Sequence, residues 1–93
     1  MVRWNPDKDR FLRTTRGVSF QEIADAIISG DYLDILENPG RPGQEVFVLR
    51  ISGYTWAVPF VIEEDETIFL KTAYPSRKFH KRYGGKYEDK GQA

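Results

Sequence analysis

At 93 residues with no cysteine, the chain is long enough for one domain and excludes disulfides, thiolate chemistry and cysteine-based zinc sites. Its 40% hydrophobic and 14% aromatic content exceeds what a disordered chain carries and suffices for one modest core. Net charge is zero, no apolar run approaches the ~20 residues of a membrane span, and the opening MVRWNPDKDRF lacks the apolar stretch of a signal peptide, so the expected location is the cytoplasm.

Val2-Arg3-Trp4 is compatible with a short opening strand. Asn5-Pro6 then reads as a helix start, because Asn caps the free N–H groups and Pro at the first helical position loses no needed donor. Asp7 and Asp9 suit the positive end of that helix, Arg13 and Arg16 its negative end, and Gly17 stops it. Ser19-Phe20-Gln21-Glu22 has the spacing of a capping box, and Phe20, Ile23, Ala26 and Ile27 recur at helical spacing until Gly30. This helix is the clearest element of the sequence.

After Gly30 the period becomes two. A first strand is expected around Tyr32 to Leu36, and residues 38–43 (NPGRPG) form a loop. A second strand runs from Glu45 to Ile51, and Ser52-Gly53 makes a two-residue turn. A third strand runs from Tyr54 to Val61, with Tyr54, Trp56, Val58 and Phe60 on one face; Pro59 places an edge or a bulge there. Glu63 to Glu66 form an acidic hairpin tip. A fourth strand runs from Ile68 to Tyr74, with Ile68, Leu70, Thr72 and Tyr74 sharing a face. Pro75 breaks it, and Ser76 caps a short basic helix over Arg77 to Tyr83. The expected architecture is α+β: two N-terminal helices packed on one face of a four-stranded antiparallel meander, followed by a short basic C-terminal helix. Residues 1–85 make the domain and 86–93 a flexible tail.

Charge is segregated along the chain. Residues 1–21 hold five bases and two acids, residues 22–66 hold ten acids with only Arg41 and Arg50 as bases, and residues 67–87 hold six bases and no acid. If the two basic ends meet in the fold, they form one positive surface suited to a polyanion; the plainer alternative is a solvated face.

There is no Gly-rich phosphate loop, and His80 is the only histidine. The stretch Lys71 to Tyr83 does gather what RNA cleavage without a metal needs. RNA supplies its own nucleophile, the 2′-OH, so a protein has only to orient it, move two protons and stabilise charge on the phosphate. Arg77 and the lysines Lys71, Lys78 and Lys81, with Arg82, suit the phosphate. His80 and Tyr83 are candidates for proton transfer. Tyr74 and Tyr83 are candidates to stack a splayed base. The same stretch also fits a module that binds RNA or an acidic partner without cleaving anything. DNA reading by the two N-terminal helices is disfavoured, because the second carries Glu22 and Asp25 where a recognition helix is basic.

Two segments resemble the BrnT-type toxins of bacterial toxin–antitoxin pairs. Trp4-Asn5-Pro6-Asp7-Lys8, followed by Gly17-Val18-Ser19-Phe20-Gln21-Glu22, is similar to the family's W-D-x-x-K and H-G-V-S-F-E-E, and Leu70 to Lys78 is similar to its I-S-A-R-K stretch; Tyr83 matches the tyrosine that closes the basic helix. The likeness spans residues 2–83. It implies a RelE-like fold and a metal-independent, cofactor-free endoribonuclease that inhibits translation, neutralised by a small DNA-binding antitoxin that makes the DNA contacts for the pair. By position it implies phosphate stabilisation for Arg77, RNA positioning for Lys78 and Lys71, and proton transfer or stacking for Tyr83; His80 has no counterpart in the motif. The family's histidine before Gly-Val-Ser-Phe is Arg16 here, Asn5 replaces an aspartate, and the 39–43 loop and the Tyr74-Pro75 pair depart from the pattern.

Overall fold

A computed structural model describes residues 1–84, so the expected tail at 86–93 lies outside the described residues. Strand β1 (Val2–Trp4) leads into helix α1 (Pro6–Arg16), which is followed by helix α2 (Phe20–Ile28). The sheet continues with β2 (Asp34–Glu37), β3 (Glu45–Ile51), β4 (Tyr54–Ile62), β5 (Ile68–Leu70) and β6 (Tyr74–Pro75). A short helix α3 (Arg77–Phe79) runs directly into a π-helical turn, His80–Gly84.

The helix signals in the sequence act as read. The Asn5 side chain accepts from the N–H of Asp7 and of Lys8, Pro6 occupies the first turn, and Gly17 closes α1 at φ 69°. The capping box of α2 is complete: Ser19 accepts from the Glu22 N–H and Glu22 accepts from the Ser19 N–H. A further contact couples the two helices. The Asp9 carboxylate accepts from the Phe20 N–H at 2.8 Å and pairs with Arg13 at 3.1 Å, so one side chain of α1 binds an orphan N–H of α2.

Sheet order is β1-β5-β4-β3-β2, with β6 paired to β4 beyond the end of β5. The α+β architecture is as expected, while the sheet is richer than a four-stranded meander. β1 joins it as a parallel partner of β5, and the fourth strand divides in two. The first meander strand also starts later than expected, and Tyr32 instead packs edge-on against Phe47 at 5.1 Å.

The division has a backbone cause. Pro59 lies inside central strand β4, opposite Val46, rather than at a sheet edge. The Lys71 N–H donates to the Pro59 carbonyl at 2.8 Å. In an antiparallel ladder such a residue pair exchanges two bonds, but Pro59 has no N–H to return. Pairing then slips by one: β5 aligns Phe60 with Leu70, β6 aligns Ala57 with Tyr74, and three residues (71–73) face two (58–59). This is a β-bulge in the partner strand. It reverses the expected facing, so Ala73 is fully buried and Tyr74 is exposed. The Ala73 carbonyl is taken up by the guanidinium of Arg16, the last residue of α1.

The core lies between the two helices and one sheet face. Leu12, Phe20, Ile23 and Ile27 meet Phe47, Leu49, Val58, Phe60 and Leu70 there, with Trp4 stacked on Phe20. The opposite face buries Val48, Thr55 and Ala57. Above it run α3 and the π-turn, crossing from Thr55 on β4 to Asp34 on β2. The sheet is therefore covered on both faces. At the β3–β4 turn both Ser52 (φ 51°) and Gly53 (φ 82°) have positive φ, the mirror-image geometry that matches strand twist.

Because Arg16 serves a bulge carbonyl that no strand can reach, Arg16→Ala is expected to destabilise the domain by about 1–3 kcal/mol, the cost of a carbonyl left without its donor. The measurement is the urea midpoint at unchanged slope. An unmoved midpoint would mean that water replaces the guanidinium.

Candidate functional site

The bulge organises the site. On one side of β6 lies a cleft of about 380 Å³ whose lining includes Lys8, Arg41, Lys71 and Tyr74, with Asn38 and Gln44. On the other side lies a cleft of about 540 Å³ lined by Ile51, Ser52, Tyr54, Trp56, Pro75 and Arg77. Tyr74 and Pro75, adjacent in sequence, thus wall two different concavities. A third and larger one, beneath the 38–44 loop, is bounded by Glu37 and Glu45 and includes no base among the described residues, so it is electrostatically unsuited to an anion.

The first cleft is basic because chain segments far apart in sequence meet there. Lys8 comes from α1, Lys71 from the bulge and Arg41 from the loop between β2 and β3. That loop is shaped by its own bonds: Arg41 N–H to the Asn38 carbonyl, Gln44 N–H to the Arg41 carbonyl, and Asn38 Nδ2 to Gln44 Oε1. The Lys71 ammonium sits 5.5 Å from the centre of the Phe69 ring, a cation–π contact that leaves it exposed to solvent. Among the described residues, no acidic side chain lines this cleft.

The predicted residues do not gather at one point. Lys71 and Tyr74 line the basic cleft and Arg77 the aromatic one. Lys78, Lys81 and Arg82 are exposed on the C-terminal segment, with the Arg82 guanidinium 5.4 Å from the centre of the Tyr83 ring. His80 lies over the start of β4. Its ring stacks on Tyr54 at 4.1 Å, and its Nδ1 is 3.1 Å from the hydroxyl of the fully buried Thr55. Ser76 caps this segment by accepting from the Phe79 N–H, and its carbonyl accepts from the His80 N–H.

Tyr83 is held most firmly. Its hydroxyl donates to Asp34 Oδ2 at 2.8 Å, which ties the end of the π-turn to strand β2. That bond, followed by the Ile35 N–H, holds the Asp34 carboxyl below its ordinary value of 3.8. Burial, followed by the bond to Asp34, raises the Tyr83 phenol above its ordinary value of 10.0. In this arrangement Tyr83 is a hydrogen-bond donor.

Sequence reading did not single out Lys8, Arg41, Trp56 or Arg16 as site residues. A signal existed for two of them. Lys8 closes the W-N-P-D-K motif, and Arg41 is one of only two bases in the acidic middle block. Arg16 enters by reaching the Ala73 carbonyl, and nothing local in the sequence indicates that partner.

No family model matches the sequence, and no curated protein matches it. Fold comparison finds a similar structure. The similar structure is the crystal structure of the Brucella abortus ribonuclease toxin BrnT, at 14% identity and a TM-score of 0.60, with 82% of this chain and 97% of that chain covered. The chain therefore has a BrnT-like fold.

The paired shifts of Asp34 and Tyr83 set a pH window for this clasp. A lowered carboxyl contributes stability above its unfolded value, and that contribution fades as pH falls through the lower folded value. A raised phenol contributes fully below its unfolded value and loses it as pH rises through the higher folded one. Tyr83→Phe is expected to melt a few degrees below the wild type near pH 7 and to match it in strong acid. A thermal melt series across pH reads this, and equal melting temperatures at neutral pH would show the bond to be energetically idle.

Proposed function

We propose that the chain is a ribonuclease toxin: an endoribonuclease that inhibits translation and is neutralised by a small protein antitoxin. The observation that carries this reading is the fold likeness to a ribonuclease toxin over 97% of that protein's length. The basic and aromatic clefts on either side of β6 support it, since RNA offers phosphates to one and bases to the other.

The reaction proposed is metal-independent transesterification. The 2′-oxygen bonds to the neighbouring phosphorus while the bond to the 5′-oxygen breaks, leaving a 2′,3′-cyclic phosphate and a 5′-hydroxyl. One proton leaves the 2′-OH and one reaches the departing oxygen. Arg77, in the lining of the aromatic cleft, supplies fixed positive charge to the phosphate. Lys71 and Tyr74 position the strand, and Lys78, Lys81 and Arg82 extend the positive surface. His80 is the proton-transfer candidate, its ring orientation set by Thr55 and Tyr54. Tyr83 contributes through the clasp to Asp34, which holds this segment against the sheet.

One observation favours the second reading, a module that binds RNA or a partner without cleaving. Both the His80 ring and the Tyr83 hydroxyl make contacts with the sheet. The two readings separate on RNA integrity. On induction in a growing bacterium, the wild type is expected to arrest growth and protein synthesis with shortened transcripts, and Arg77→Ala to relieve the arrest while staying folded. In vitro the substitution is expected to slow cleavage by roughly 100-fold or more. Continued growth with intact RNA and soluble, folded wild-type protein would favour the binding module.

A further inference from the structure

We infer that the cleft formed by Lys8, Arg41, Lys71 and Tyr74 is a backbone-phosphate site for single-stranded RNA, separate from the Arg77 cleft and drawing two of its three bases from outside the basic C-terminal stretch. The inference rests on the ribonuclease reading for its choice of ligand and on geometry for the site itself.

Three bases from three chain segments converge on one concavity of about 380 Å³ whose lining, among the described residues, contains no acid. Lys8 and Arg41 are exposed and make no ion pair among the described residues, in a chain whose charges balance overall. By contrast, three other bases of the N-terminal block, Arg3, Arg10 and Arg13, all pair with carboxylates. An unneutralised cluster of this kind costs self-repulsion and is relieved by an anion.

The cleft's chemistry narrows the anion. Tyr74 is partly exposed on its wall and offers a ring for stacking, while the amides of Asn38 and Gln44 add polar groups beside it. A ring beside a set of cations fits a nucleotide unit better than a bare phosphate. Because Tyr74 and Pro75 are consecutive on β6, a strand laid across β6 passes from this cleft into the Arg77 cleft. The basic cleft then holds a phosphate beside the one at Arg77 and sets the register of the strand. Arg41, on the loop, makes the site depend on a segment that has no part in the sheet.

The test is binding of a fluorescent single-stranded RNA whose 2′ positions are methylated, so that it can be bound but not cleaved. Anisotropy titrations of the full chain at several salt concentrations compare the wild type with Lys8→Ala, Arg41→Ala and Arg10→Ala. Arg10, paired with Asp7 and outside the cleft, controls for a bare loss of charge. Each cleft variant is expected to bind roughly tenfold more weakly and to reduce the slope of log affinity against log salt by about 0.7, the value for one lost phosphate contact on a single strand. Arg10→Ala is expected to resemble the wild type, and circular dichroism confirms that all variants are folded. Inorganic phosphate competing as well as the oligonucleotide would overturn the RNA assignment. Unchanged binding and slope in both cleft variants, equal losses in all three variants, or no RNA binding by the wild type would overturn the site. Failure of the ribonuclease reading shows up separately, as unmodified RNA that is bound with these same variant effects and left intact.

Discussion

Much of this molecule follows from one missing hydrogen-bond donor. Pro59 occupies a central strand at a position where an antiparallel pair exchanges two bonds, and it can make only one of them. The neighbouring strand inserts an extra residue at that point, turns Ala73 inward and Tyr74 outward, and re-pairs one residue out of step. A proline inside a sheet is usually a defect to be hidden at an edge. Here the interruption separates β5 from β6 and leaves room on either side of β6 for a cleft. Arg16 completes the arrangement by donating to the bulge carbonyl, which ties the end of α1 to the point where the sheet changes register.

Electrostatics are organised around the same point. The basic N-terminal and C-terminal blocks, separated in sequence by ten acids, meet through Lys8 and Lys71 beside the bulge, and Arg41 joins them from within the acidic block. The acids go elsewhere: Glu63 pairs with Arg3, Asp34 receives Tyr83, and Glu37 and Glu45 face each other across the β2–β3 pair. The result is a chain of zero net charge that gathers three bases around one cleft of its described residues.

The second sheet face is closed by the C-terminal segment. Helix α3 and the π-turn bury Thr55 and Ala57 through contacts at two ends, His80 with Thr55 and Tyr83 with Asp34. So short a segment owes its order to such tertiary contacts rather than to helix propensity. Arg77 precedes this strap and takes its placement from it.

What the sequence determined by itself is what local chemistry encodes. The caps at Asn5 and Ser19, the stops at Gly17 and Gly30, the Ser52-Gly53 turn and the apolar strand from Glu45 to Ile51 all depend on neighbours within a few residues, and all stand where read. The α+β class follows from their order. The charge blocks were legible too. The tertiary structure alone decided the rest, because it depends on partners far along the chain. Pro59 signalled a disturbance in its own strand, but the extra residue was absorbed by the strand opposite, where Thr72 and Ala73 carry no mark of it. The parallel pairing of β1 with β5 joins residues more than sixty positions apart. Lys8, Arg41 and Lys71 become neighbours only when two helices and a sheet have packed, and the residues of the basic stretch divide between two clefts because a bulge, invisible to periodicity, runs between them.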